Sequence, residues 1–181
     1  MLLLFFVACW QSTVPDITQD VRTIHLDRNQ GVFYSQELPF SGYAVTKNTA
    51  GTIVEKAGFY DGKRHGVRLK FFDDGEKSEE SRYQNGKKNG VSKTWWKNGR
   101  TRSFSQFRKG VPHGIQRQWY QSGVLFKEVH LEHGQEKGLQ RAWRENGDIY
   151  NNYEAKDGRT YGLRRSKLCF ELKEEDIVRA D

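Results

Sequence analysis

Residues 90–113 read GVSKTWWKNGRTRSFSQFRKGVPH, and residues 114–137 repeat the pattern as GIQRQWYQSGVLFKEVHLEHGQEK. Glycines mark the period, because 16 of the 18 glycines fall on three series that advance by 24 residues. The series are Gly42, Gly66, Gly90, Gly114, Gly138, Gly162; Gly51, Gly75, Gly99, Gly123, Gly147; and Gly62, Gly86, Gly110, Gly134, Gly158. A fixed period without insertions indicates a repeat architecture, in which each unit packs mainly on its neighbours. The sequence therefore predicts an array with a large surface and disfavours an enzyme built around one pocket.

The composition limits the fold further. The chain has 181 residues, of which 35% are apolar and 29% are charged, and its formal net charge is +7. Such values lean towards disorder, but 11 Phe, 8 Tyr and 5 Trp residues and the strict period argue against it. A thin, solvated sheet with aromatic contacts accounts for both facts. The positive charge favours anionic partners, without choosing among acidic proteins, lipid head groups and nucleic acid.

Each 24-residue unit reads as a β-hairpin, with units at 42–65, 66–89, 90–113, 114–137 and 138–161. In the third unit, Asn98 and Gly99 separate two strand-like runs, and Asn-Gly favours a hairpin turn because both residues tolerate positive φ. A second turn begins at Lys109 and is expected to continue through His113 to Gly114. Two strands per unit predict an all-β fold, an elongated antiparallel β-hairpin repeat array with five 24-residue units plus caps.

The period also predicts columns of equivalent side chains. If the Asn-Gly turns are three-residue loops with a bulge, as we favour, three apolar columns share one face of the sheet. These columns are Phe71, Trp95, Trp119, Trp143; Phe59, Tyr83, Phe107, Leu131; and Val67, Val91, Ile115, Leu139, Leu163. The neighbouring column of Phe72, Trp96 and Tyr120 then points to the opposite face, because strand side chains alternate.

The amino terminus reads as a targeting signal. Residues 2–8 are apolar, too few to span a bilayer but about right for the apolar part of a secretory signal. The segment from Phe6 to Cys9 resembles a bacterial lipobox, although Phe6 replaces the usual leucine and no Lys or Arg precedes the run. We predict a signal peptide and lipidation site over residues 1–9, with Cys9 anchored in the bacterial cell envelope, and a tether over residues 10–31. These departures suggest that the true start lies upstream of Met1, and the alternative to a targeting signal is a hydrophobic terminal strand or a stray start.

The ends of the array depart from the period, as capping units do. We assign residues 32–172 to the repeat domain with its caps, of which residues 33–40 form a degenerate half-unit. Residues 163–172 read as a final strand or two, and residues 173–181 as a charged tail. Cys169 lies between Leu168 and Phe170, which favours a buried side chain over a reactive thiol or a disulfide with Cys9.

The repeated motif is an aromatic pair, two residues and glycine, then an aromatic residue, two residues, glycine, three residues and glycine. It occurs as WWKNG at residues 95–99 and as YQNGKKNG at residues 83–90. Over residues 42–162 this motif resembles the MORN repeat variant family, whose bacterial members are often labelled YwqK-like antitoxins. The resemblance implies an array of β-hairpins, protein–protein or membrane-associated contact, and no catalytic residues. The outer units depart from it, with Lys47 and Asn48 in the first unit, and Arg144 and Ala155 in the fifth, at aromatic positions.

The sequence carries no clear catalytic or metal-binding pattern. His65 and His113 occupy one repeat position two units apart, about 20 Å, so they cannot share a zinc ion. His130 and His133 flank a turn without evident further ligands. No glycine-rich loop leads from a strand into a helix, and no spacing suggests a Ser-His-Asp triad. We therefore predict that the chain is not an enzyme and needs neither metal nor cofactor.

Basic residues recur beside the aromatic residues on the first strand of each unit. Trp, Tyr and Arg are the residue types most enriched at binding hot spots. We predict partner binding through Trp95, Trp96, Trp119, Tyr120, Trp143, Arg117 and Arg141. The structural alternative is that the aromatic residues only hold the hairpins together and the basic residues only solubilise the sheet.

The leading hypothesis is a non-enzymatic repeat scaffold, a surface-anchored module that binds another protein, with an acidic protein favoured. One alternative is a cytosolic, antitoxin-type protein that neutralises a toxin, and another is a peripheral binder of anionic lipid. Nucleic acid is disfavoured, because an exported protein rarely meets it. The sequence leaves the oligomeric state and the identity of the partner open.

Overall fold

The computed structural model describes residues 13–163, which form β-strands, turns and one short 3-10 helix, Val21–Thr23. The strands are β1 (Thr18–Asp20), β2 (His25–Asp27), β3 (Val32–Ser35), β4 (Leu38–Pro39), β5 (Gly42–Lys47), β6 (Ile53–Tyr60), β7 (Lys63–Phe71), β8 (Lys77–Gln84), β9 (Lys87–Trp95), β10 (Thr101–Arg108), β11 (Val111–Trp119), β12 (Leu125–Glu132), β13 (Gln135–Glu136), β14 (Gly138–Trp143), β15 (Ile149–Lys156) and β16 (Arg159–Leu163). The predicted all-β fold of consecutive antiparallel hairpins is confirmed.

The first turn of each unit is a three-residue loop. In the second unit the Phe72 N–H donates to the Glu76 carbonyl at 2.8 Å, and the Gly75 N–H donates to the Phe72 carbonyl at 2.9 Å. Gly75 has φ +86°, the left-handed conformation that completes a type I turn with a bulge. The same pair of hydrogen bonds recurs in the loops of Gly51, Gly99, Gly123 and Gly147. The predicted loop type is therefore confirmed in all five units.

The second turn of each unit is tighter. Lys109 and Gly110 have φ +51° and +90°, and they lie between the paired residues Arg108 and Val111. Two consecutive positive φ values are typical of the type I′ turn, whose twist matches that of the flanking strands. The equivalent turns are Asp61-Gly62, Asn85-Gly86, His133-Gly134 and Asp157-Gly158.

The reversal is complete within those two residues, so the prediction of a turn through His113 to Gly114 is wrong. Gly114 lies inside β11 with φ +79°. The ladder between β10 and β11 is irregular here, because Ser105 pairs with Gln116 whereas Phe107 pairs with Pro112. Between these two pairs, β10 has one residue, Gln106, and β11 has three, His113 to Ile115. The positive φ of Gly114 accommodates this bulge.

A second bulge in each hairpin changes which columns share a face. Between β7 and β8 the register shifts next to Phe71, so that Ser78 is an extra residue on β8. As a result Tyr83 pairs with Gly66, and paired residues point to the same side. One extra residue in a strand moves every later side chain of that strand to the other face of the sheet. The column of Phe59, Tyr83, Phe107 and Leu131 therefore lies on the face opposite to the Val67 column. The expectation that all three apolar columns share one face is wrong for this column.

The chain divides into two compact halves at the boundary between Gly90 and Val91, inside β9. From here on, the first and second unit are these two halves, and each 24-residue unit is called a repeat. In the first unit, β5, β6, β7 and β8 pair antiparallel in that order, and β1 pairs parallel with β5. Strands β2, β3 and β4 form a separate small sheet. The core of the first unit combines Phe59 and Ala57 from β6 with Ala44, Phe40 and Ile24.

The amino-terminal residues of this unit differ from the predicted tether. Residues 18–27 contribute β1, the 3-10 helix and β2, and the Ile24 side chain is buried against the core. The Asp20 carboxylate caps the 3-10 helix by accepting the Arg22 backbone N–H at 2.9 Å. Two isolated apolar residues in this polar stretch, Val21 and Ile24, pack on the core, and β1 adds backbone pairing with β5.

In the second unit, β10, β11, β12, β14, β15 and β16 pair antiparallel in that order, and β13 pairs with β12. Within residues 13–163 no helix is long and apolar enough to cross a membrane. The predicted signal peptide, lipidation at Cys9, Cys169, the final strand beyond Leu163 and the charged tail all lie outside the described residues.

Candidate functional site

In the second unit the pairing register places the predicted site residues on two opposite faces. The Thr94 hydroxyl lies 2.6 Å from that of Ser103, which pairs with Gln118, so these three side chains share one face. Because side chains alternate along a strand, Trp95 and Trp119 point to the other face. That face also carries Trp143, and we call it the indole face after its three tryptophans.

Two arginines and one glutamate form the charged centre of the indole face. Arg117 pairs across the strands with Glu128, and Glu128 pairs with Arg141. The Arg117 Nε donates to Glu128 Oε2 at 2.6 Å, and an Arg141 terminal nitrogen donates to Glu128 Oε1 at 2.7 Å. Both predicted arginines therefore converge on one carboxylate, which the sequence did not single out.

The carboxylate is deeply placed while the arginines remain accessible. The Glu128 side chain is 7% exposed, against 40% for Arg117 and 37% for Arg141. Burial raises the pKa of Glu128, but hydrogen bonds from the two guanidinium groups outweigh burial and lower the pKa to about 2. At neutral pH the glutamate is ionised, and the two cations share one anion. The cluster consequently presents positive charge to solvent.

The tryptophans flank this charged centre. The Arg141 guanidinium carbon lies 5.3 Å from the centroid of the Trp143 ring, a cation–π contact. Trp143 pairs with Ile149 across the hairpin, and Trp119 pairs with Leu125. Each of the three indoles is half-buried. Half-exposed indoles beside arginine are typical of protein-binding surfaces.

An apolar patch adjoins the arginines on the last three strands. Leu139 pairs with Glu154, and Glu154 pairs with Tyr161, so Leu139 and Tyr161 lie on the indole face. Leu163 reaches the same face through its pairing with Asn152. The side chains of the patch are Leu139, Ile149, Tyr161 and Leu163, and all four are exposed by 41% or more. On the other face of the same strands, Gln140, Ala142, Tyr153 and Ala155 are buried.

Trp96 and Tyr120 lie on the face opposite to the indoles. They line an open groove of about 800 Å³ together with Arg102, Phe126 and Glu145. The Arg102 guanidinium lies 4.7 Å from the centroid of the Trp96 ring. Burial, followed by the nearby Glu145 carboxylate, raises the pKa of Tyr120. The groove therefore combines aromatic and polar side chains, and its rings already contact one another or Arg102.

The polar ends of these aromatic residues join consecutive hairpins. The Trp96 Nε1–H donates to the Trp119 carbonyl at 3.1 Å, and the Tyr120 hydroxyl donates to the Trp143 carbonyl at 3.0 Å. The Asn98 amide makes the same step to the Gln121 carbonyl at 3.0 Å. Each bond spans 23 residues, so each connects one 24-residue repeat to the next. This arrangement favours a structural role for Trp96 and Tyr120.

Five of the seven predicted site residues therefore share the indole face, and two do not. Glu128 and the apolar patch are not among the residues predicted from the sequence. Glu128 stands between two arginines only after strand pairing, and the signal that could have found it is its position opposite the arginine column. Among residues 13–163, no group of three or more His, Cys, Asp or Glu side chains is placed to hold a metal ion.

The first unit carries a different ion cluster, and it lies on the face opposite to the Val67 column because Arg68 is adjacent to Val67 on β7. Arg68 donates to both oxygens of Glu55, at 2.8 and 3.1 Å, and to Glu79 at 3.2 Å. Burial raises the pKa of Glu55, but the Arg68 hydrogen bonds lower it overall. Arg64 also lies 3.6 Å from Glu55, so two arginines face two carboxylates and no excess positive charge results, in contrast to the cluster around Glu128.

Comparison with known proteins did not assign the chain to a family, since neither the protein-family models nor the curated proteins gave a match.

Proposed function

We propose that this chain is a non-enzymatic, MORN-like repeat scaffold that binds another protein through its indole face. The observation that carries the proposal is the pair of half-exposed arginines that share the buried Glu128 beside Trp119 and Trp143. Indole and guanidinium groups provide large contact areas with fixed hydrogen-bond geometry, which is why they dominate binding hot spots.

The energetic argument favours this face over the groove. Arg117 and Arg141 are already oriented by Glu128, so a partner carboxylate would meet preorganised donors and would order few side chains on binding. Exposed Leu139 and Leu163 extend the surface with apolar area, whose burial contributes about 25 cal/mol per Å² before the costs of association. A partner segment that combines carboxylates with aliphatic side chains fits both features.

The test uses the full chain as bait, with covalent crosslinking before capture. We expect the W119A/W143A protein to lose most of the captured partner while it keeps a cooperative melting transition. The matched control is Q118A/Q121A, which changes exposed residues of the groove on the other face. Equal capture by the W119A/W143A protein and the unmodified chain, with loss in the control, would place binding in the groove and contradict the proposal.

We further propose that lipidation at Cys9 holds the scaffold at the bacterial cell envelope. The support is the lipobox-like segment from Phe6 to Cys9. Incorporation of labelled palmitate that disappears in the C9S protein is the expected result. A soluble, unlabelled product with an intact amino terminus would contradict the anchor and favour the cytosolic alternative.

A further inference from the structure

A single row of side chains crosses the last five consecutive strands of the indole face. Arg117 pairs with Glu128, Glu128 with Arg141, Arg141 with Asn152, and Asn152 with Leu163. Adjacent strands lie about 4.8 Å apart, so Arg141 is about 10 Å and Arg117 about 19 Å from Leu163. The described chain thus ends at Leu163, on the same row as the two arginines.

The hairpin period does not continue past this point. The three-residue loops contain glycine at 51, 75, 99, 123 and 147, with φ between +79° and +95°. The next position in this series is 171, where the chain has Glu171. A glutamate in the left-handed conformation costs about 1–2 kcal/mol, so a sixth hairpin of the same type is disfavoured.

The composition of residues 168–178 complements the indole face. These residues contain four acidic side chains and one basic side chain, and Leu172, Ile177 and Val178 add apolar groups. The indole face carries Lys93, Arg117 and Arg141, together with the exposed apolar patch. Glu174 is 11 residues beyond Leu163, which spans up to about 36 Å in an extended chain, well over the 19 Å to Arg117.

From this exit point, charge and reach, we propose that residues 168–178 of the same chain dock on the indole face. Their carboxylates bind Arg117 and Arg141, and their aliphatic side chains cover the patch around Leu139 and Leu163. The docked segment occupies the surface that the proposed function assigns to a partner. It therefore acts as an internal competitor, which a partner with a similar acidic and aliphatic segment must displace.

Zero-length carbodiimide coupling of lysine to carboxylate tests the proposal in the full chain. Two adjacent residues of β11 provide matched attachment points, because Arg117 lies on the indole face and the exposed Gln118 lies on the groove face. We expect the R117K protein to couple at position 117 to Glu174, Glu175 or Asp176, and the Q118K protein not to do so. Coupling of position 117 to Glu128 serves as the internal sign that the sheet is intact.

Three results would overturn the proposal. The first is equal coupling of positions 117 and 118 to residues 174–176, and the second is an R117K protein that couples to Glu128 but not to residues 174–176. The third is coupling between two molecules. A mixture of isotope-labelled and unlabelled protein separates the last case, which would indicate a second copy as the occupant. These outcomes are distinct from partner capture, so the proposed function stands or fails separately.

A second measurement avoids changes in the sheet. The E174K/E175K/D176K protein reverses the charge of the segment, and we expect acrylamide to quench its tryptophan fluorescence more strongly than that of the unmodified chain. The reason is that release of the segment exposes Trp119 and Trp143 to the quencher. Identical quenching of the two proteins would contradict docking on the indole face.

Discussion

Adjacent aromatic residues in this chain have different surroundings, and the difference decides their roles. Trp95 points to the indole face, whereas Trp96 points to the groove and donates its Nε1–H to the Trp119 carbonyl. Tyr120 repeats this contact one repeat later with the Trp143 carbonyl. A side chain that satisfies a backbone carbonyl of the next hairpin contributes to stability, so substitutions at these positions should act on folding before they act on binding.

We expect Tyr120→Phe to lower the free energy of unfolding by about 1 kcal/mol, the usual net contribution of one hydrogen bond. The measurement is urea unfolding followed by far-ultraviolet circular dichroism. Tyr161→Phe is the matched control, because Tyr161 is 54% exposed on the last strand and removal of its hydroxyl should cost little stability. Equal effects of the two substitutions would show that the Tyr120 hydroxyl bond does not stabilise the sheet.

Glu128 predicts a pH dependence. Its folded-state pKa of about 2 lies below the ordinary value of 4.5, so its ion pairs stabilise the folded state fully above about pH 5, and this stabilisation is lost as pH falls towards 2. Because both arginines are more than one third exposed, solvent screening reduces the contribution to roughly 1–2 kcal/mol. Glu128→Gln should therefore be less stable than the unmodified chain at pH 7 and equally stable near pH 2. A difference in unfolding free energy that is independent of pH would contradict this assignment.

At the scale of elements, each 24-residue repeat contains one three-residue loop and one two-residue type I′ turn. The two turn types need glycine for the same reason, a positive φ, but their surroundings differ along the chain. Gly62 is in the first unit, where its N–H donates to the Phe40 carbonyl at 2.9 Å and its carbonyl accepts from the Phe33 N–H at 2.8 Å. The small sheet of β2, β3 and β4 therefore packs directly on this turn.

Gly62 and Gly158 separate the cost of backbone strain from the cost of packing. Both occupy the second position of a type I′ turn, with φ +68° and +71°. A Cβ at Gly62 would lie 2.8 Å from the Phe33 carbonyl oxygen and would clash with Val32, whereas a Cβ at Gly158 would meet no atom within 4 Å. We expect Gly158→Ala to cost about 1–2 kcal/mol from strain, and Gly62→Ala about 1–3 kcal/mol more from overpacking. Chemical denaturation measures both, and equal costs would mean that the small sheet does not restrain the turn.

At the scale of the whole molecule, the repeat converts a short sequence pattern into rows of side chains. The row from Arg117 to Leu163 crosses five strands, and it joins the charged centre to the apolar patch. Partner capture and the crosslinks from position 117 both depend on this row. The first reports on another protein and the second on residues 168–178, so the two expectations can succeed or fail independently.

The fold was accessible from the sequence to a large degree, because its determinants are local. Asn98 and Gly99 predict a hairpin turn, and Lys109 and Gly110 predict where the second reversal begins, because glycine tolerates positive φ. The length of each turn did not follow from these residues. Docking of residues 18–27 is not predicted from the sequence, because the pairing of β1 with β5 and the contacts of Val21 and Ile24 join residues that are distant in sequence.

The candidate site was only half accessible. The residue types of the indole face follow from the repeat, and strand alternation correctly predicts that Trp96 and Tyr120 point to the other face, although both are among the predicted partner-binding residues. One of the three apolar columns, that of Phe59 and Tyr83, is predicted on the wrong face, because the bulge at Ser78 and its equivalents has no residue signature in the turn chemistry. Glu128 was missed because nothing in the local sequence marks it as the shared partner of Arg117 and Arg141.

The period of 24 residues, the turn types and the all-β class are properties of the chain alone, since they arise from φ preferences and strand patterns within a few residues. The facing of each column and the convergence of two arginines on Glu128 required the folded sheet. The physical reason is that register is a relation between strands: one extra residue in a bulge reverses every side chain beyond it, and no local preference records which register the paired strands adopt.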